Sequence, residues 1–394
     1  MKSVDSDILS LNGGSSSIKF ALYSPEAAGL ERKLYGKIDR MGLNGTHLTF
    51  HDPLSNQQET LSLSATDYQS AANFLFDWLE KRQVFATLGA AGHRVVHGMQ
   101  HAEPVLITQD LLDELKLNIP YDPDHLPNEI EMIAVLRRRH PRLRQVACFD
   151  TAFHHAMPAI AKLLPIPRRY QLQGVQRYGF HGLSYTYLLA ELKQLGDPAA
   201  TQGRVILAHL GSGSSLAAVL NGKSIDTSMG FTPASGLPMS TRSGDLDPGL
   251  IGYLAHSEKM TPAQFSKMVN EESGLLGVSE LSADIRDLLA QEDNDVRAAE
   301  AIALYCYQVK KWLGSFAAVL GGLDTLVFSG GIGENAPSIR ARICEGLGFL
   351  GIELNPLSNE KGSGLISTNG SRVSVRVMRT DEEQTIACAA LRFA

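Results

Sequence analysis

Four short stretches hold Arg, His and Asp side chains that could act together in phosphoryl transfer. Arg94 lies in "GHRVVHG", Asp150 ends an apolar run in "CFDTAF", His181 lies in "RYGFHG", and Arg242 lies in "MSTRSGDLDP". Transfer of a phosphoryl group needs cations that neutralise the charge spreading over its oxygens, and a carboxylate that orients a metal ion or the nucleophile. Each residue alone more often has a structural role, so the hypothesis depends on the turns that accompany these four.

Two Gly/Ser-rich turns could bind the phosphates. They lie in "ILSLNGGSSSIKFALYS" and "VILAHLGSGSSLAAVLNG", where an apolar strand-like run meets Gly and Ser and a second apolar run follows. Such a turn can direct several backbone N–H groups into one anion-binding concavity, and hydroxyls reinforce it. Neither a Walker GxxxxGK[ST] motif nor the HRD and DFG motifs of protein kinases occur. Phosphoryl transfer would therefore use another scaffold.

The same two turns indicate a duplicated domain. Ser16-Ser17-Ile18 aligns with Ser214-Ser215-Leu216, about half of the 394 residues away. A motif that recurs once at this distance favours duplication of a whole domain, because solenoids and propellers repeat every 20 to 50 residues. Chance recurrence of a Gly/Ser hairpin is the alternative. The length of the chain also favours two or three domains, since it exceeds what one core usually organises.

Both halves mix helical and strand-like patterns, which predicts an α/β protein. Helical periodicity marks "LITQDLLDELKLN", "LPNEIEMIAVLRRRH" and "AAEAIALYCYQVKKWLGSFAAVL", whereas "QVACFD", "RVILAHL" and "TLVFSGG" are typical of short buried strands. The C-terminal ends of such strands carry functional loops. Residues 221–249 are rich in Gly, Ser, Thr and Pro and strand-like only at their beginning. A loop of this length favours a functional role.

Composition and charge exclude several function classes. The net charge of -6 and the pI near 6.1 give no general attraction to nucleic acid. The basic stretch "LRRRHPRLR" lacks interleaved aromatic residues, so it is predicted to be a solvated helix end. Four distant cysteines form neither a disulfide framework nor a zinc motif. Without a signal-peptide pattern or a run of about 18 apolar residues, we expect a cytoplasmic protein with no membrane partner.

Nine stretches in order resemble the acetate and propionate kinases, a family of the sugar kinase, Hsp70 and actin superfamily. They extend from residue 11 to residue 383 and read "LNGGSSSIK", "GHRVVHG", "FDTAFH", "YGFHG", "HLGSGSS", "SIDTSMGFTP", "GLPMSTRSGDLDP", "FSGGIGEN" and "TDEE". The resemblance implies two ribonuclease-H-like α/β domains with ATP in the cleft between them. Residues 1–150 and a C-terminal helix at about 382–394 would form the acyl side, and residues 151–381 the nucleotide side. It also implies a homodimer.

The resemblance further assigns roles to individual residues. Arg94 would bind the substrate carboxylate, His181 and Arg242 would stabilise the transferring phosphoryl group, and Asp150 and His125 would assist nearby. The metal ligands of Mg2+, or of Mn2+ in its place, would be Asn12 and Glu382. The acyl pocket would be lined by Val96, Phe180 and Pro233. The ATP phosphates would face Lys19, His209, Leu210, Gly211, Ser212 and Gly213. The nucleoside would be framed by Asp284, Ile285, Arg286, Gly331, Ile332, Gly333, Glu334 and Asn335.

The activity implied by the resemblance is ATP-dependent, reversible, direct in-line phosphorylation of a short-chain carboxylate, acetate first, to an acyl phosphate. A carboxylate is already ionised at pH 7, so the attack needs no strong base, and positioning with charge neutralisation should dominate. Propionate or a substituted small acid is the nearest alternative. A non-enzymatic ATP-binding regulator is an alternative of another class, against which Arg94, His181 and Arg242 argue.

Three positions depart from the family's pattern. Ser212 replaces an Asn in the phosphate turn, which should weaken phosphate contact slightly. Gly13 replaces a Cys or Ala after Asn12, which should loosen the backbone. In "YDPDHLPNE", Asp124 matches a Leu of the acyl pocket. Either Asp124 turns away and Leu126 supplies the apolar surface, which we favour because the loop is one residue shorter, or Asp124 binds a polar group of the substrate.

Overall fold

The computed structural model describes residues 6–394 except 15, 16, 28, 42–44, 54, 64, 66 and 363, so Ser15 and Ser16 of the first turn lie outside the described residues. The chain divides into two compact units. Unit 1 comprises the residues up to Ala152, Gly182–Tyr187 and Asp381–Ala394, and unit 2 comprises Phe153–His181 and Leu188–Thr380. The division expected from the sequence differs mainly in residues 182–187.

Hydrogen bonds explain why that short stretch belongs to unit 1. The Gly182 amide donates to the carbonyl of Asp150 at 2.9 Å. The Thr385 hydroxyl donates to the carbonyl of Leu183 at 3.2 Å. The Leu183 side chain is buried with Ile8 in a core cluster of unit 1. These contacts join residues far apart in sequence, so no local pattern marks them.

Unit 1 is built on an eight-stranded sheet. Its strands are β1 (Asp7–Gly13), β2 (Ile18–Glu26), β3 (Gly29–Asp39), β4 (His47–Asp52), β5 (Gln57–Ser62), β6 (Leu88–Val95), β7 (Val105–Leu106) and β8 (Arg144–Phe149). Their order is β5-β4-β3-β2-β1-β6-β8-β7. β1 to β5 pair antiparallel in sequence order, whereas β6 runs parallel to β1 and β8 runs parallel to β6. Parallel strands end at one edge, so this pairing brings the ends of β1, β6 and β8 together.

Unit 2 repeats the same arrangement in a six-stranded sheet. Its strands are β9 (Arg204–Leu210), β10 (Ser214–Leu220), β11 (Lys223–Thr227), β12 (Thr325–Ser329), β13 (Gly364–Leu365) and β14 (Ser374–Val377). Their order is β11-β10-β9-β12-β14-β13, with β9, β12 and β14 parallel. The run β11-β10-β9-β12-β14 has the pairing of β3-β2-β1-β6-β8. The predicted duplication is therefore confirmed, and the two Gly/Ser turns join equivalent strands.

Sixteen α-helices accompany the sheets in the described part of the chain. They are α1 (Tyr68–Lys81), α2 (Gln109–Leu117), α3 (Leu126–Arg139), α4 (Ala159–Lys162), α5 (Arg168–Gln171), α6 (Gly182–Gln194), α7 (Ala199–Gln202), α8 (Gly249–Ser257), α9 (Pro262–Glu271), α10 (Gly274–Ser279), α11 (Ile285–Gln291), α12 (Val296–Leu320), α13 (Gly330–Asn335), α14 (Pro337–Cys344), α15 (Pro356–Lys361) and α16 (Glu382–Leu391). The three helices predicted from periodicity are α2, α3 and α12. Among all described helices, none combines the length and the apolar character needed to cross a membrane.

Apolar helix faces cover both sheets and hold the strand ends in place. In unit 1, α1 and α3 pack on one face of the sheet, and α16 packs on the other through Ile386, Ala387 and Ala390. In unit 2, the long helix α12 packs on β9 and β10, and its buried side chains include Tyr305 and Phe316. Burial of apolar area at about 25 cal/mol per Å² makes these faces the main source of stability.

The basic stretch at the end of α3 is the solvated helix end that the sequence predicts. Arg138 pairs with Glu131 at 3.1 Å, and Arg139 pairs with Asp77 at 2.6 Å. Acidic neighbours thus neutralise part of the local charge.

Candidate active site

Arg94 and Asp150 form a buried ion pair at the strand ends of unit 1. Nε and Nη2 of Arg94, in β6, donate to Oδ2 of Asp150 at 3.0 and 2.6 Å, and Nη1 donates to the carbonyl of Gly13 at 3.0 Å. The Asp150 side chain is fully buried. Burial opposes charge on Arg94, but Asp150 and Glu382 more than offset it, so the pKa of the guanidinium is raised. Burial also raises the pKa of Asp150, against the attraction of Arg94.

Oxygen donors gather where β1 meets the start of α16. Nδ2 of Asn12 donates to Oε2 of Glu382 at 2.9 Å and to Oε1 of Glu383 at 3.0 Å. Asp381 caps the helix by accepting the Gln384 amide at 2.9 Å, which fixes the first turn of α16. The two expected metal ligands, Asn12 and Glu382, are therefore adjacent, and Glu383 joins them without having been expected.

Gly13 also has a packing role, which the expectation of a looser backbone did not include. A Cβ at this position would lie 2.2 Å from the hydroxyl oxygen of Tyr68 and 3.3 Å from Cε of Met132. Tyr68 is buried at the start of α1 and Met132 is buried in α3. The glycine thus lets both helices approach the end of β1 closely.

The shortened loop before α3 exposes Asp124 and buries a different acid, Asp122. Asp124 is exposed, whereas the Asp122 side chain is 3 % exposed and accepts a bond from Nδ1 of His125 at 2.9 Å. Leu126 is fully buried, but among the core residues that α3 presents to the sheet. Asp124 is therefore accessible to solvent, whereas Leu126 belongs to the core and does not supply the apolar pocket surface that was expected of it.

Two further titratable groups are buried beside this loop. Glu129 accepts the amide of Val96 at 3.0 Å, and burial raises its pKa to about 8, opposed by Arg94. His97 accepts the amide of Met99 on Nδ1 at 3.2 Å, and burial lowers its pKa to about 4. At pH 7 both side chains are therefore largely neutral.

The phosphate turn of unit 2 holds its shape through its own hydrogen bonds. The Gly211 amide donates to the Gly213 carbonyl at 3.1 Å, and the hydroxyl of Ser214 donates to the Gly211 carbonyl at 3.0 Å. The side chain of Ser212 is exposed, and its carbonyl accepts the Ser240 amide at 3.2 Å. Internal bonding preorganises the turn and leaves the Ser212 hydroxyl accessible.

His181 and Arg242 converge on Gly213 of that turn. A Cβ on Gly213 would lie 3.2 Å from Nε2 of His181 and 3.8 Å from Nη1 of Arg242. Nδ1 of His181 is bonded to the Ser215 hydroxyl at 2.9 Å, and its ring stacks on His209 with centroids 4.3 Å apart. His181 has a left-handed backbone with φ of 60°, a strained conformation that is frequent at functional sites. The structure thus brings together four predicted residues, because His209 was also expected to face the phosphates.

Arg242 is also fixed by the long loop between β11 and α8. Its Nη1 donates to the carbonyl of Pro233 at 2.9 Å. The loop begins after β11, as its strand-like start predicts, and carries both residues. Of the other expected pocket residues, Val96 and Phe180 are buried, whereas Pro233 is half-buried. Lys19, in β2, is exposed and pairs in register with Asn12.

The two stretches expected to frame the nucleoside are only partly accessible. Ile285 and Ile332 belong to the core of unit 2, so their side chains anchor the stretches from within. Glu334 likewise holds its own turn, since its Oε1 accepts the Gly330 amide at 2.9 Å and the Thr380 amide at 3.4 Å. The accessible members of the two stretches include Arg286, Gly331 and Asn335. Asp284 caps α11 and pairs with Arg286.

Sequence reasoning missed Asp122, Glu129 and Glu383. A signal for Asp122 exists in its spacing, because an acid three residues before His125 can reach it across one turn. A signal for Glu129 also exists, because it lies on the same face of α3 as Ile130 and Leu126. No group of three or more His, Cys, Asp or Glu in the described residues is arranged to hold a metal ion.

Comparison with known proteins identifies the family to which this sequence and fold belong. The acetokinase family model matches residues 7–388. An acetate kinase of Rhodopseudomonas palustris is 43% identical over 98% of each chain. A propionate kinase of Citrobacter freundii is 39% identical over 98% of this chain and 96% of that protein. The crystal structure of a propionate kinase from Francisella tularensis superposes with a TM-score of 0.91 at 36% identity, covering 98% of this chain and 99% of that one. Sequence and fold thus point to the same family, and the chain belongs to the acetokinase family.

Proposed function

We propose that the chain transfers the γ-phosphoryl group of ATP to a short-chain carboxylate, with acetate as the first substrate, and that the reaction is reversible. A carboxylate oxygen attacks the γ-phosphorus, the bond to the β-phosphate oxygen breaks, and an acyl phosphate and ADP result. The observation that carries this proposal is the convergence of His181 and Arg242 on Gly213. Two preorganised donors at a phosphate turn stabilise charge that develops on a transferring phosphoryl group.

Arg94 is suited to hold the acceptor carboxylate. A guanidinium has five N–H groups, of which three bond to Asp150 and Gly13 here. One N–H on each terminal nitrogen therefore has no acceptor among the described residues. Two such groups match the fork that a carboxylate accepts. Asp150 keeps Arg94 charged and fixes its orientation.

Mg2+ fits the oxygen donors at the start of α16. Asn12, Glu382 and Glu383 are held together by hydrogen bonds, and amide and carboxylate oxygens are the ligands that this ion prefers. We propose that Asn12 and Glu382 hold it, as the resemblance implies; Mn2+ would suit the same donors. The ion would neutralise phosphate charge on ATP, while Lys19 adds a further cation.

We also propose that the protein is a homodimer that buries α8. None of the residues of this helix is buried, although its sequence is GLIGYLAHS. Ile251, Tyr253 and the preceding Leu246 are 41%, 67% and 44% exposed. Large apolar side chains exposed together on one short segment are typical of a protein interface. A Tyr253→Asp variant that sediments as the wild type would contradict this surface.

The four cysteines fit a reducing compartment, and we propose the cytoplasm. All four are free, and Cys148, Cys306 and Cys344 are buried. Free cysteines persist where thiols are kept reduced.

Hydroxylamine trapping of the acyl phosphate tests the function. The wild-type protein is given ATP, Mg2+ and one acid from a panel of acetate, propionate, butyrate and hydroxylated analogues, and the hydroxamate is measured. We expect the highest kcat/KM for acetate. A higher value for propionate or a hydroxylated acid would favour the nearest alternative, and ATP binding without hydroxamate from any acid would favour a regulator. Pyrophosphate in place of ATP should support little product, because pyrophosphate has no nucleoside to contact the accessible residues Arg286, Gly331 and Asn335.

A further inference from the structure

We propose that Asp122 is a positioning residue for His125, so that Asp122 and His125 act as one pair in phosphoryl transfer. The inference rests on the proposed function, because His125 is assigned beside the phosphoryl group. The contact between Oδ1 of Asp122 and Nδ1 of His125 is 2.9 Å, and the two side chains are 3 % and 13 % exposed. The pair is therefore nearly enclosed, with the imidazole as its accessible end.

The bond determines which imidazole nitrogen faces the substrate. A carboxylate only accepts hydrogen bonds, so Nδ1 carries the proton that it donates to Asp122. Nε2 is then the atom that His125 offers to a ligand. A carboxylate behind a histidine, fixing its tautomer and ring orientation, is a recurrent device at metal sites and in hydrolase triads. Here the device lies in the four residues, Asp122 to His125, that precede α3.

The loop holds Asp122 firmly in this position. The Asp122 amide donates to the carbonyl of Ile119 at 3.1 Å, and its own carbonyl accepts the amide of Leu126 at 3.2 Å. Leu126 is fully buried in the core of unit 1. Hydrogen bonds thus fix the backbone of Asp122 on both sides, which holds its side chain within reach of His125.

The second imidazole near Asp122 does not compete for its charge. Burial lowers the pKa of His97 to about 4 although the charge of Asp122 opposes this shift, so His97 is neutral at pH 7. Its Nδ1 accepts the amide of Met99. The directed bond of Asp122 therefore goes to His125.

The stability of the fold gives no reason for this acid to be buried. Oδ2 of Asp122 is buried and has no hydrogen-bond partner among the described residues. A buried carboxylate oxygen without a partner costs free energy, because its desolvation is not compensated by a hydrogen bond. A group that costs stability and persists is typical of a functional site.

A double-mutant cycle tests the pair. Asp122→Leu, Asp122→Asn and His125→Ala are made singly, and each Asp122 variant is combined with His125→Ala. kcat, the KM values for ATP and acetate, and Tm are measured with the full-length protein. Asp113→Leu is the matched control, because Asp113 is an exposed acid of α2 whose side chain is 58% accessible.

We expect Asp122→Leu to lower kcat roughly tenfold or more, which is the range for residues that orient a ligating histidine. The KM for ATP should stay unchanged, and Tm should stay unchanged or rise. Asp122→Asn should recover part of the loss, because its amide oxygen still accepts a bond from Nδ1. In the His125→Ala background neither variant should lower kcat further, and Asp113→Leu should match the wild type.

Equal losses with and without His125 would overturn the inference, as would wild-type kcat in Asp122→Leu. If the Leu variant does not fold, the cycle with Asp122→Asn gives the same decision. A wild-type protein that forms no acyl phosphate would instead refute the proposed function, so the two failures are distinguishable.

Discussion

Glu129→Gln should remove a pH dependence of the stability of unit 1. Burial raises the pKa of Glu129 to about 8 from an ordinary value of 4.5, and Asp122 and Asp150 add to the effect of burial. The folded state therefore keeps the proton up to about pH 8, whereas the unfolded chain releases it above 4.5. Unfolding releases a proton within this window, so stability falls as pH rises, by about 1.4 kcal/mol per pH unit. Between pH 5.5 and 7.5 the wild type should lose roughly 3 kcal/mol relative to the variant.

Urea unfolding with a fluorescence reporter confined to unit 1 measures this difference. The chain has two tryptophans, Trp78 in α1 and Trp312 in α12. A Trp312→Phe background leaves Trp78, which packs against Phe20 and Phe50 of unit 1, as the sole reporter. Glu131→Gln, a change at an accessible position of the same helix, is the control and should alter stability by a few tenths of a kcal/mol. Parallel pH profiles for the wild type and Glu129→Gln would refute the assignment of a buried, protonated Glu129.

Three further substitutions test the site. Arg242→Ala should lower kcat by on the order of 10²-fold or more while circular dichroism stays unchanged, because one preorganised charge donor is lost; near-wild-type turnover would remove Arg242 from the mechanism. Gly213→Ala should lower kcat roughly tenfold, because its methyl group would lie 3.2 Å from Nε2 of His181 and displace the ring; an unchanged kcat would show that the ring needs no such space. Asp124→Leu should leave kcat/KM for acetate unchanged, since Asp124 is exposed, and a tenfold gain would show that Asp124 faces the substrate.

The local periodicity of the sequence is enough to locate much of the fold. Helices α2, α3 and α12 and strands β8, β9 and β12 were predicted because their apolar residues repeat within a few positions. The duplication was visible because the two Gly/Ser turns join equivalent strands, β1 to β2 and β9 to β10.

Contacts between residues that are distant in sequence could not be predicted from local patterns. The fit of Gly13 against Tyr68 depends on how closely α1 approaches the sheet, which spacing along the chain does not encode. Charged residues are rarely buried, so the residue types of Asp122 and Glu129 did not predict their burial. Ile285 and Ile332 were assigned to the nucleoside by resemblance, although apolar side chains of this size usually enter the core.

The discontinuity of unit 1 has a consequence during synthesis. Helix α16 is made after the other described elements and supplies Ile386, Ala387 and Ala390 to the face of β1, β6 and β8. Most of unit 2 is made between those strands and α16. We therefore expect unit 2 to fold while unit 1 still lacks this cover, which leaves apolar strand surface open to misassociation on the ribosome. Glu382 arrives on the same helix, so the metal site that we propose would be incomplete in the nascent chain until α16 is in place.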